Sequence, residues 1–167
     1  MAGEPRVLLE ALEPGRYHAT GAYHSATAPI TGLPVEWDGT LSHQTDQIIL
    51  EGKYRHHVGT AEHPFRLVLN LPSGLLQQGS FELHSPHLGP AAGTFRALGG
   101  GVVFGGRVDQ SRATMSLNVE VLQPGVLDGK GTVVFPNGIV WLYHFEVRPT
   151  ESRLAKADVV GIHQRRA

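Results

Sequence analysis

Residues 132–147 read TVVFPNGIVWLYHFEV, and this stretch decides the fold. Pro136-Asn137-Gly138 is turn chemistry, because proline presets the backbone for a corner and glycine accepts a positive φ. Thr132 to Phe135 on one side are β-branched or aromatic. On the other, Ile139, Trp141, Tyr143, Phe145 and Val147 alternate against Leu142, His144 and Glu146. A period of two marks a strand with one buried and one wet face. Two such arms around Asn-Gly predict a tight antiparallel hairpin.

The same period recurs outward from this hairpin. In 47–58, Ile48, Leu50, Gly52, Tyr54, His56 and Val58 share one face, opposite Ile49, Glu51, Lys53, Arg55 and His57. Segment 64–71 sets Phe65, Leu67, Leu69 and Leu71 against Arg66, Val68 and Asn70; 113–121 sets Met115, Leu117, Val119 and Val121 against Thr114, Ser116, Asn118 and Glu120. Weaker strands are predicted at 16–25, 33–42, 79–84, 93–98, 102–108 and 127–135. Turn signals recur at Pro14-Gly15, Asp38-Gly39, Pro72-Ser73-Gly74, Pro124-Gly125 and Asp128-Gly129. Helix is predicted only near Arg6 to Leu12 and after Thr150, where 158–163 reads equally as a last strand.

A glycine followed two residues later by an aromatic appears at Gly15/Tyr17, Gly21/Tyr23, Gly52/Tyr54, Gly79/Phe81 and Gly93/Phe95. Residues i and i+2 share a face, so a ring can cover the bare glycine beside it, and strand glycines permit the coiling that closes a sheet. The fold expected is all-β, a single antiparallel barrel of about 8–10 strands. It is a calycin-like meander occupying 1–167 as one domain. A sandwich or jelly roll is the alternative. Gly99-Gly100-Gly101 and Gly105-Gly106 flank Val102 to Phe104 and suggest a flexible edge or bulged strand there.

Composition narrows the function classes. Charged residues are 17% and the formal net charge is -1, so no basic excess exists to track nucleic acid. The absence of cysteine excludes disulfides and thiolate metal sites. No run of apolar residues approaches the ~20 that span a membrane, and Met1 to Glu13 lacks the apolar core of a signal peptide. A cytoplasmic location is expected. Near-zero net charge is compatible with a homo-oligomer.

Ten histidines are the compositional anomaly. His18 and His24 share a face but stand about 20 Å apart along an extended strand, too far to chelate one ion. A cupin-like ligand set needs two His separated by one residue; His56-His57 followed by Glu62 lacks the spacer. No metal and no other cofactor is assigned, and neither a Walker loop nor a G-x-S-x-G or H-E-x-x-H motif occurs. His56 falls on the apolar face with Tyr54. It is either a core imidazole bonded to tyrosine or backbone, or a polar anchor in a cavity. His144 shares its face with Glu146, which predicts a solvated pair.

The leading reading is a barrel that binds a small apolar or aromatic molecule. Its cavity is walled by Trp37, Tyr54, Phe65, Trp141 and Tyr143, with His56 as anchor. The second is a metal-independent cyclase, isomerase or lyase using His56, Tyr54 and Tyr143 as acid–base groups. The third is a structural or protein-interaction module with a filled core. No motif names a reaction.

Overall fold

The computed structural model describes residues 12–26, 32–56, 61–72, 78–85, 88–123 and 125–150, for His56 the backbone alone. The expected terminal helices lie outside this range, apart from Leu12.

Ten strands form one closed barrel, each antiparallel to the next: β1 (Gly15–Ser25), β2 (Leu33–His43), β3 (Gln47–His56), β4 (Glu62–Asn70), β5 (Gln78–Ser85), β6 (Gly89–Leu98), β7 (Gly101–Val108), β8 (Thr114–Gln123), β9 (Val126–Val134) and β10 (Val140–Pro149). Nine ladders join strands adjacent in sequence. The tenth, β1 on β10, closes the sheet from Tyr17 opposite Pro149 to Ser25 opposite Trp141. The meander barrel expected from the alternation is the architecture observed, and the sandwich is not formed.

Alternation sets what faces inward. On β8, buried Met115 and Val119 alternate with exposed Thr114, Ser116, Asn118 and Glu120. On β7, buried Val102, Phe104 and Val108 alternate with exposed Val103, Gly105 and Arg107. Leu12 packs into the core where β1 begins, and the Tyr17 hydroxyl donates to the Glu13 carbonyl at 2.7 Å, holding that segment against the barrel.

The β9–β10 hairpin forms where Pro136-Asn137-Gly138 predicts it. Gly138 N–H donates to the Phe135 carbonyl at 3.0 Å, Phe135 N–H donates to the Ile139 carbonyl at 2.9 Å, and Gly138 takes φ +86°. The corner falls on Pro136 and Asn137, and the positive φ on glycine alone.

Three local expectations are corrected. Asp38-Gly39 and Asp128-Gly129 are not turns but lie inside β2 and β9. There glycine is required by a ring: an added Cβ on Gly39 would stand 2.2 Å from Trp37 Cζ2, and one on Gly129 would stand 2.2 Å from Phe145 Cζ. Nor is the ring expected two residues on among the nearest atoms at Gly21, Gly52, Gly79 or Gly93. Phe95 covers Gly79 and Phe145 covers Gly129, each from the directly opposite strand position. Opposite residues approach to about 5 Å, closer than i and i+2 along a strand. Finally, β7 is neither an edge nor bulged, since it pairs in unbroken register with β6 and β8. The register shift occurs at Val121/Gln123 of β8.

Candidate ligand-binding cavity

The inward rings and aliphatic chains do not fill the barrel. A cavity of about 280 Å³ remains, lined by residues that include Trp37 from β2, Tyr54 from β3, Phe65 from β4, and Tyr143 and Phe145 from β10. Its wall is almost wholly apolar.

The register explains how these side chains meet. Trp37 stands directly opposite Tyr54, and Gly52 opposite Phe65. Phe65 and Trp37 meet edge to face, with centroids 5.6 Å apart and planes at 67°, while the bare Gly52 lets the β2 backbone at Asp38 and Gly39 approach closely. β1 and β10 place Tyr23 opposite Tyr143, with rings 6.0 Å apart.

Of the six residues singled out in the sequence, Trp37, Tyr54, Phe65 and Tyr143 share the cavity wall. Trp141 is not on it. It packs beside the hairpin against Phe135, at 4.7 Å between centroids, and against Tyr23 at 6.1 Å. His56 ends β3 opposite Val35, and its side chain lies outside the described atoms.

Electrostatically the cavity is quiet. Burial pushes the Tyr54 hydroxyl far above the ordinary tyrosine range, and neighbouring Tyr143 and Tyr23 add to this. Burial, then Tyr23, does the same to Tyr143. Both remain protonated near neutrality, where a phenol can donate or accept a hydrogen bond. Among the described lining residues no Lys, Arg or His occurs, and the acid Glu36 pairs with Arg55 at 3.6 Å. The Trp37 indole nitrogen is buried and has no hydrogen-bond partner among the described residues. Neither that orphan donor nor Tyr23 beside Tyr143 was singled out from sequence. Tyr23 does share its strand face with Tyr17, but only the β1–β10 closure brings it to Tyr143.

Charged groups gather on the outside. Asp38 accepts from Arg55 at 2.8 Å and pairs with His18 at 2.7 Å. His144 pairs with Asp128 of β9 at 2.7 Å rather than with Glu146. Glu146 is taken by the Arg148 guanidinium, which leaves the imidazole to the cross-strand carboxylate. Among the described residues no group of three or more His, Asp or Glu side chains converges to hold a metal, and no helix is long and apolar enough to cross a membrane.

Two solved structures share this architecture. The S-type phycobiliprotein lyase CPES from Guillardia theta aligns with a TM-score of 0.67 at 12% identity, covering 91% of this chain and 96% of that one. Rv2717c from M. tuberculosis aligns at 0.61 and 10% identity, covering 89% and 99%. The likeness is one of fold. No family model matches the chain, and no curated protein matches it by sequence.

Proposed function

We propose that the protein binds a small, largely apolar or aromatic molecule inside the barrel. One observation carries this reading: the interior keeps a cavity of about 280 Å³ where a structural module would pack side chains. At ~24 cal/mol per Å³, an unfilled apolar void of that size costs on the order of 7 kcal/mol. A binding role gives that volume a purpose. The cavity lies near the lower end of the range for small-molecule sites, and its wall combines apolar side chains with a few polar tips, as such sites do.

The second reading, a metal-independent cyclase, isomerase or lyase, has one observation in its favour: a fold neighbour is itself named as a lyase. In that reading Tyr54, Tyr143 and His56 move protons. Burial counts against the two phenols in this role, because a proton held so far above neutrality transfers poorly at physiological pH. The interaction module, which calls for a filled core, fits the cavity worst.

The test is native mass spectrometry of the protein as purified, beside a denatured sample, together with titration of the neutral fluorescent probe N-phenylnaphthylamine. A retained organic mass, or saturable one-to-one probe uptake, is the expected result. A bare polypeptide that also takes up no probe would overturn the reading. Turnover of a retained compound would move the assignment to the enzyme.

A further inference from the structure

What the barrel can hold is set by what its wall lacks. The surface that faces the cavity is almost wholly apolar, although several lining residues carry polar atoms. Those atoms are engaged or turned elsewhere. The Tyr17 hydroxyl is taken by the Glu13 carbonyl at 2.7 Å. Ser116 and Thr132 belong to the outward phase of β8 and β9, where their hydroxyls bond each other at 2.9 Å. The Glu36 carboxylate pairs with Arg55 at 3.6 Å. The Trp37 indole nitrogen is itself buried, so it offers nothing to an occupant. Tyr54 and Tyr143 therefore meet the space chiefly with ring carbon. Nor does the backbone supply a partner, because closure of the barrel leaves no unpaired sheet edge.

Such a wall discriminates by desolvation. A hydroxyl or carbonyl brought inside gives up its water partners and gains none, as on transfer to cyclohexane rather than to octanol. A charge is penalised far more, and no Lys, Arg or His occurs among the described lining residues. A hydrocarbon loses nothing polar and gains dispersion contacts. Size follows from volume. An apolar protein cavity of ~150 Å³ holds one benzene, so about 280 Å³ suits two fused rings.

Resting on the binding reading above, we infer that the ligand is a hydrocarbon of about two-ring size, without hydroxyl, carbonyl or charged group, held by shape and dispersion alone.

Three probes on one scaffold test this: ethylnaphthalene, naphthylmethanol and naphthoate. Affinities are measured by equilibrium dialysis, on protein whose native mass is that of the bare chain, and corrected for each probe's partition between water and octanol. Octanol offers a hydroxyl the partners that this wall withholds. After correction, ethylnaphthalene should therefore keep an advantage of about ten-fold or more over naphthylmethanol, with naphthoate weakest. Xenon, which makes no hydrogen bond, gives a readout independent of the scaffold. Under pressure it should shift the methyl resonances of Met115 and Leu117, both on the wall. Parity or reversal between hydrocarbon and alcohol, tightest binding by naphthoate, or wall methyls unmoved by xenon would each overturn the inference while leaving the binding reading intact. Failure of all three probes and of xenon to bind would remove both.

Discussion

Gly129→Ala is the most direct challenge to the packing that shapes the cavity. Gly129 lies in β9 directly opposite Phe145 of β10, and a Cβ there would stand 2.2, 2.4 and 2.7 Å from three atoms of the Phe145 ring. Ordinary carbon contacts begin near 3.5 Å, so the ring must move by about 1.3 Å. No backbone atom ranks among those three nearest atoms, so the strain falls on one side chain that borders the void. Overpacking of this kind costs ~1–3 kcal/mol, a fall of roughly 3–9 °C in Tm for a chain of this size. Phe145→Leu removes the clashing ring atoms, so the two substitutions should couple. A double-mutant cycle by urea denaturation is expected to give ~1–2 kcal/mol of favourable interaction, the double variant being more stable than the sum of the singles. The displaced ring should also weaken probe uptake. Strict additivity, or a neutral Gly129→Ala, would refute the assignment of Gly129 as the bare floor beneath Phe145.

Other expectations are quicker to check. Tyr54 and Tyr143 are acids whose folded values are raised, so they keep their protons longer folded than unfolded. Their stability contribution is intact below pH ~10 and lost as pH climbs beyond it. Phenolate absorbance should therefore rise later in native protein than in urea-unfolded protein, and coincident curves would place these phenols in solvent. Leu67→Phe combined with Leu117→Phe should enlarge two wall residues into the void, weakening probe binding at least about ten-fold. Unchanged probe affinity in a folded double variant would put the probe elsewhere. The hydrogen bond from His144 holds the Asp128 carboxyl below its ordinary range. That contribution is present above the unfolded value, ~3.9, and lost as pH falls through the folded one. His144→Ala should move the Asp128 carboxyl-carbon titration upward, and an unmoved titration would deny the contact. Asp38→Ala breaks only solvent-facing pairs and should cost under ~1 kcal/mol in urea denaturation. A loss of several kcal/mol would mean the cluster is not solvated.

Period-two alternation located four strands, β3, β4, β8 and β10, because a one-sided wet face writes itself into the sequence, and weaker signals between the turns placed the other six. The same pattern says whether a side chain points inward but not at what height along the barrel. Trp37 and Trp141 are both large rings within strands. Only the hydrogen-bond register puts the first on the cavity wall and the second beside the hairpin with Phe135. Dipeptide chemistry is also ambiguous. Asp-Gly serves a turn as well as it serves a strand glycine overlaid by a ring, and nothing local distinguishes Asp128-Gly129 from a corner. The pairing of Tyr23 with Tyr143 depends on which distant strands meet, and no local pattern encodes that.

The seam between β1 and β10 has a consequence for how the chain comes to life. Every other ladder joins neighbours in sequence and can zip as each hairpin emerges. The seam pairs residues more than a hundred positions apart, from Ser25 with Trp141 to Tyr17 with Pro149. Its loop-closure entropy must be met in a single late event, which favours slow final closure. During synthesis, β1 therefore waits with an unpaired edge until β10 has left the ribosome. In that interval the nascent sheet is most exposed to pairing with another copy of itself.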